Sequence, residues 1–591
     1  MIRNTMILTF VLVITVHVSI AQEGDRDPVL NAMKDELSRN MESLRLEGIE
    51  NPFYISYLVL TGKSYNIQAS LGSIVKSTVQ TPGNGSVKVL VGDYHLNNTN
   101  FKGAMWEWSN VDYPEFPLSP DYLGYRYELW KITDQTYKES GENLVKKKTA
   151  MKQQLLSAQD TVPDDYLKGS AVDRYIIKNV PQFDQKDFEH KIRAVSTVFL
   201  EYKDLVESKV RFVYYPLQVY FTDSEGSESS FPLHYMVMRV SATAIAEDGE
   251  KIYDEMDFYW QDPEKVPALE SIKKEVSEFA ANLLANANAT ALDEDYYGPV
   301  LIEGEAAAEV FTTKFFSSKK GFYANRVPVC IDESTKKELA NSFKSLEMKI
   351  GRRILPTTFT VTARPELTDW NGFFLAGHYP LDAQGVIPKE VTLVENGIVK
   401  QVLTDRTPTL NSPESTGNSR IVFNSSSLVQ KAPGVIHVQN SKGINNKKLK
   451  AELLKAAKKE GLSYALIIRK TVKDDNSNSY YSEDEGSKLN LKALNIYKVD
   501  VASGTETLIR SAELQDISFS SFKNVSFTSS KEFACNTVLY DQYKKYYDSP
   551  LTGVPVSIIL PYAFLFGELE IVKKDMSGTA IPPVVTNPLK K

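Results

Sequence analysis

Cysteine is almost absent: Cys330 and Cys535 are the two in 591 residues. A disulfide-built fold is excluded. An exported protein can join the two thiols in a disulfide. Otherwise they stay as two buried thiols. Their spacing of about two hundred positions does not choose between these readings. Long apolar runs are also lacking, and after the N-terminal segment none reaches the roughly 20 residues a membrane helix needs. No excess of basic charge exists. Lys and Arg number 68 against 75 Asp and Glu, a net charge of −7, so no footprint for nucleic acid is present. The sequence has no G-x-S-x-G elbow, no P-loop and no G-x-G-x-x-G. A Ser-His-Asp triad brought together only by folding stays invisible at this level.

What is there is a globular composition, 42% hydrophobic and 24% charged, in a chain too long for one ordinary core. The start reads as an address. Arg3 precedes the mostly apolar run Met6–Ile20, and Ser19-Ile20-Ala21 offers a small-residue cleavage site before Gln22. No cysteine follows that site, so a lipid anchor is not expected. The reading is a signal peptide over 1–21 and an exported protein, periplasmic or secreted.

Periodicity then organises the chain. A helix over Pro28–Leu46 leads to strands Phe53–Leu60, Ser64–Val75 and Ser86–Val91. The segment Leu118–Pro163 is largely helical. Asp184 caps a helix whose Phe188, Ile192, Val195, Phe199, Tyr202 and Val206 follow a 3.6-residue period. Strands Val210–Thr222 and Leu233–Ala246 flank a polar loop. Asp248-Gly249 turns into Lys251–Trp260, and a helix over Ala268–Ala285 runs to a boundary near Asp293. The second half is mostly β: Thr357–Thr362, Glu390–Glu395, Ile398–Thr404, Gly434–Gln439, Ser463–Arg469, Ala493–Val499, Thr505–Ile509, Phe533–Leu539, Val554–Leu560 and Glu568–Val572. The helix Lys447–Glu460 interrupts it with a basic, solvated face. An Asn396-Gly397 hairpin joins two of the strands. The acidic loop Lys473–Lys488 reads as mobile, and the Pro-bearing tail 575–591 reads as disordered.

The stretch Tyr296–Phe316, YYGPVLIEGEAAAEVFTTKFF, steps from a buried strand through Gly304 into an Ala-rich helix. It resembles the start of the C-terminal domain of the TldD/PmbA family of metallopeptidases, also described as modulators of DNA gyrase. Three further stretches are similar to that family in the same order: PLDAQGVIPKEVTLVENGIVKQVLTDR at Pro380–Arg406, STGNSR at Ser415–Arg420, and GVPVSIILPYAFLFGELEIVK at Gly553–Lys573. The resemblance implies an α+β fold in two domains. An α+β N-terminal domain spans 22–293 and a large, mainly antiparallel β C-terminal domain spans 294–574.

Metal-bearing members carry H-E-x-x-x-H on the helix, and a cysteine a few residues before the G-V-P-V strand. Zinc hydrolysis needs about three protein ligands and a carboxylate near the bound water. Here Thr312, Thr313 and Ser317 stand at the motif positions. The window Tyr546–Thr552 holds no cysteine, and Cys535 lies 18 positions before Gly553. No catalytic residue, metal site or cofactor is therefore expected, and the resemblance is closer to the metal-free PmbA-like type.

No two of His95, His190, His234, His378 and His437 lie at H-x-x-x-H spacing. His190 reads as solvated, and His234 and His437 as packing residues. His378 stands beside the central signature. Glu305 and Glu309, four apart on one helix face, suit either a hard cation or the helix dipole. The binding candidates are His378, Asp382, Asn396, Arg406 and Arg420. The expected function is a non-catalytic subunit that binds extended or unfolded peptide and dimerises, with itself or with a metal-bearing TldD-like chain. Two alternatives remain: an active peptidase whose site the motifs do not reveal, and a homodimeric binding or scaffold protein.

Overall fold

The computed structural model describes residues 27–590 apart from 82, 104–110, 112–113, 155–162, 177–181, 318, 425–427, 474–490, 516, 540–548 and 575–586. The leader, the acidic loop after Lys473, most of the tail and the first three residues of the Tyr546–Thr552 window lie outside the described residues. At the far end Pro588–Lys590 form a 3-10 turn, and Asn587 donates to the Lys203 carbonyl at 2.9 Å, so the disorder expected of the tail does not extend to these residues.

The fold is α+β, with mainly antiparallel sheets. In the N-terminal half, strands Leu205–Asp223 and Glu228–Ile245 form a long antiparallel hairpin at the heart of an eight-stranded sheet. Both faces of this sheet are covered. Along Pro52–Gly62, side chains alternate from face to face, as a strand demands. Ile55, Tyr57 and Val59 pack under Val29, Met33 and Leu37 of the helix Pro28–Ser43 and Leu129 of Tyr122–Gln153. Leu58 and Leu60 point the other way, into a cluster with Ala376, Leu381 and Phe423 of the C-terminal half. Burial on both sides explains why Phe53–Leu60 is hydrophobic at every position but Ser56.

The helix opened by Asp184 behaves as expected at its start, where the carboxylate accepts from the N–H groups of Lys186 and Asp187. It ends sooner than its periodicity suggests. The α-helix stops at Ser196, a 3-10 turn covers Thr197–Glu201, and Val206 is an exposed residue of the next strand. The hydroxyls of Ser196 and Thr197 bond back to the carbonyls of Arg193 and Ala194, which competes with continued helix.

Two sheets build the C-terminal half. A ten-stranded sheet carries Tyr296–Glu303, parallel to Tyr464–Ile468 and antiparallel to Ala563–Lys573. A six-stranded sheet runs from Ile398–Val399 at one edge through Val391–Glu395, Phe359–Ala363, Val435–Asn440 and Val554–Pro561 to Glu532–Leu539 at the other. The helix Gly304–Phe316 shares one core with both, and its Phe311 and Phe315 lie against Phe522. The Asn396-Gly397 turn has φ of +50° and +74°, the left-handed pair a tight hairpin needs. Its second strand is only Ile398–Val399, not Ile398–Thr404. The chain then leaves for another partner: Leu403 exchanges hydrogen bonds with the backbone of Phe322 and Ala324.

Both cysteines are free. Cys330 is buried in the short strand Val329–Cys330, which pairs with Phe101–Lys102, and Cys535 is partly buried on Glu532–Leu539.

Candidate binding cleft

Three sheet edges converge on one cleft of about 830 Å³. Lys251–Trp260 is the last strand of the N-terminal sheet, Thr471–Lys473 ends the ten-stranded sheet, and Glu532–Leu539 ends the six-stranded one. Residues of all three line the cleft: Tyr253 and Glu255–Trp260, then Thr471 and Val472, then Phe533–Thr537. An edge strand presents unpaired backbone N–H and C=O groups to whatever lies beside it.

The helix Gly304–Phe316 contributes Glu305, Ala308, Glu309 and Thr312, four residues of one helical face. Its position is set at Gly304, whose φ of +58° favours glycine and whose N–H donates to the Tyr562 carbonyl at 2.7 Å. Just before it, Glu303 is tied to Arg469 at 2.9 Å. A small hairpin, Asp369–Trp370 with Phe373–Phe374, stands at the cleft and exposes Phe373. Asn536 holds this hairpin to the edge strand, donating to the Phe374 carbonyl at 2.9 Å and accepting from the Ala376 N–H at 3.0 Å.

The cleft is acidic. Six carboxylates line it, Glu255, Asp257, Glu275, Glu305, Glu309 and Asp369, against two ammonium groups, Lys265 and Lys470. Arg239 sits behind the wall and neutralises part of it, with contacts of 2.7 and 2.6 Å to Asp257 and 3.3 Å to Glu255. Lys470 is engaged by Asp254 at 2.8 Å. Burial disfavours the Lys470 charge, but Asp254 and then Glu305 outweigh it, and its pKa lies above the ordinary lysine value. The Cys535 thiol is pushed far the other way from a reactive thiolate: burial raises its pKa first, then the charges of Glu305, Glu309 and Asp257. Two buried hydroxyls of the lining, Thr312 Oγ1 and Thr471 Oγ1, have no hydrogen-bond partner among the described residues. Leaving such a group unsatisfied costs about 1–3 kcal/mol.

Of the sequence candidates, Thr312 and the pair Glu305 and Glu309 line this cleft. Thr313 turns its hydroxyl to Glu309 at 3.1 Å, and Ser317 is the exposed residue capping the helix. His378 binds the Leu375 carbonyl through Nδ1 at 2.7 Å and meets the Phe374 ring edge-on. Asn396 is the exposed hairpin turn. Asp382 is buried and accepts from the N–H groups of Gln384, Val386 and Ser419. Burial lifts its pKa to about 6 in spite of them. Arg420 stacks on Tyr379 at 3.9 Å and donates to the carbonyls of Pro433 and Pro555. Arg406 crosses to the N-terminal half, where it lies over Tyr54 and Tyr166, pairs with Glu225 at 2.7 Å and donates to the Leu167 carbonyl. The signature residues thus hold the structure together at places apart from the cleft. Sequence reasoning missed Phe373, Trp260 and Glu275, which no motif marks. It set Cys535 aside on sequence distance, yet the edge strand brings Cys535 to the helix face.

Residues 297–471 match the PmbA/TldA metallopeptidase C-terminal domain. Over these residues the chain is similar to the TldD/PmbA family. No curated protein is significantly similar in sequence. Among solved structures, the fold is shared with TldE from Thermococcus kodakarensis (11% identity, 92% of this chain and 100% of that one, TM-score 0.56). It is shared with a candidate modulator of a DNA gyrase from Thermotoga maritima MSB8 (12%, 92% and 100%, 0.54). A third match is a candidate modulator of DNA gyrase from Bacteroides thetaiotaomicron VPI-5482 (10%, 92% and 98%, 0.53).

The zinc chemistry of the family's metal-bearing members does not fit these residues. The helix face offers an orphaned threonine hydroxyl where an imidazole is needed, and the neighbouring carboxylates oppose a Cys535 thiolate. Among the described residues no three His, Cys, Asp or Glu side chains come together to hold a metal.

Proposed function

We propose that this chain is an exported, metal-independent TldD/PmbA-type subunit that captures extended peptide in the cleft and pairs with a metal-bearing relative. The observation that supports it most is the convergence of three sheet edges over the helix face that bears Thr312. An extended peptide adds to a sheet edge through main-chain hydrogen bonds alone, which need no metal. Hydrolysis would then be the partner's work. The test joins three measurements on protein purified from its native host: the N-terminal residue, the zinc content and the co-purifying chain. A terminus near Gln22, far less than one zinc per molecule, and a partner retaining H-E-x-x-x-H are expected. Turnover of unfolded peptides by the isolated wild-type chain, persisting in excess chelator, overturns the non-catalytic reading.

A further inference from the structure

Resting on that peptide-capture reading, we propose that the cleft selects peptides carrying a cationic side chain, lysine or arginine, which seats against Glu305 and Glu309. The charge count points there. Lining carboxylates outnumber lining ammonium groups six to two, Arg239 answers Asp257 and Glu255, and Lys470 is already committed to Asp254. Glu305 is exposed in the cleft and has no ion-pair partner among the described residues. A concave surface with low-dielectric walls focuses such a field on its occupant. An anionic side chain is repelled there.

Two independent observations say that the place is built for a ligand. Thr312, 2% exposed, and Thr471, 8% exposed, both line the cleft and both leave a hydroxyl without a partner. A hydroxyl can give or accept one bond with a peptide group or an ammonium. The aromatic wall supplies the rest. Phe258 and Trp260 stand stacked at 5.7 Å, and Phe373 is exposed on its hairpin. Aromatic faces attract a cation and cover the aliphatic stem of lysine or arginine.

The experiment uses the full chain and three fluorescein-labelled nonapeptides, identical except for a central lysine, norleucine or glutamate. Norleucine keeps the stem and removes the charge. Fluorescence anisotropy should show the lysine peptide binding about tenfold more tightly than the norleucine peptide, with the glutamate peptide weakest. In Glu305→Gln/Glu309→Gln the lysine advantage should collapse while norleucine affinity holds. Glu305→Gln alone, a change at an exposed position, should remove part of it. Equal binding of lysine and norleucine peptides by the wild type overturns charge selection and leaves peptide capture intact. Equal lysine preference in wild type and double variant overturns the assignment to this helix face. Failure of all three peptides to bind overturns both readings.

Discussion

The cleft and the seam around Arg406 are both polar, and they treat polarity in opposite ways. At the seam the Arg406 guanidinium, buried to 1% exposure, has two aromatic faces, a carboxylate and a carbonyl around it. In the cleft, among the described residues, Glu305 makes no ion pair and two threonine hydroxyls lack partners. Buried polar groups in folded proteins are satisfied almost everywhere. The seam's guanidinium is satisfied by the chain itself, although the Tyr166 hydroxyl beside it also lacks a partner among the described residues; the cleft instead gathers two such hydroxyls on one lining, where a ligand can reach them. That contrast, more than any motif, separates structure from function here.

The largest effect that tests the contrast is at the seam. Arg406→Ala leaves Glu225 buried without its partner and should cost about 3–5 kcal/mol, seen as a lowered urea midpoint. Arg406→Lys should recover only part, since an ammonium cannot stack on Tyr54 and Tyr166 while forking to Glu225. A near-neutral Arg406→Ala would show that the two halves do not depend on this anchor.

Next come the satisfied networks of the signature. Asp382→Asn keeps an oxygen for Gln384 and Val386 but sets an N–H donor against the Ser419 N–H, and should cost about 1–3 kcal/mol. Its pH signature has a definite sign. The folded pKa, about 6, lies above that of an unfolded aspartate. The native state therefore holds the proton more tightly, and Asp382 contributes stability that is full below about pH 4 and lost as pH rises through 6. Denaturant midpoints from pH 4 to 7 should carry this slope in the wild type and lose it in Asp382→Asn.

These seam and signature residues also mark what the sequence could reveal. Period marks individual strands and the Ala-rich helix, whereas the two-domain α+β fold is legible only through the family resemblance. Arg406 and Arg420 were visible as motif residues, but a motif does not say whether its side chain meets a ligand or the chain's own carbonyls. The cleft was not legible, because its walls are the edges of three different sheets. Edge position is a property of the assembled sheets: Lys251–Trp260 and Glu532–Leu539 belong to different sheets, pair with other strands and meet only across the cleft. The short strand after Asn396-Gly397 failed for a similar reason: Leu403 has a better backbone partner at Tyr323 than its own hairpin offers.

A smaller effect should be seen at Cys535. If Glu305 and Glu309 hold its thiol un-ionised, alkylation by iodoacetamide at pH 8 should be slow in the folded wild type. It should speed up a few-fold, about 0.5–1 kcal/mol in the barrier, in Glu305→Gln/Glu309→Gln. Mass spectrometry separates this site from buried Cys330. An unchanged rate would place the carboxylates too far from the sulfur to govern it.

The smallest effect is also the most direct comparison, because one substitution is made in both regions. Thr404 is 1% exposed, donates to the Glu414 carbonyl at 2.7 Å and accepts from the Thr416 N–H at 2.7 Å. Thr404→Val strands both partners and should cost about 1–3 kcal/mol. Thr312 is equally buried at 2%, yet among the described residues its hydroxyl has no partner to strand. Thr312→Val exchanges an orphaned hydroxyl for a methyl of similar shape, so stability should stay within about 0.5 kcal/mol or rise. Peptide affinity should fall instead, since the hydroxyl's only use is to the ligand. A Thr312→Val variant that loses stability as Thr404→Val does, with peptide binding unchanged, would make the cleft hydroxyl one more structural group and erase the distinction between the two regions.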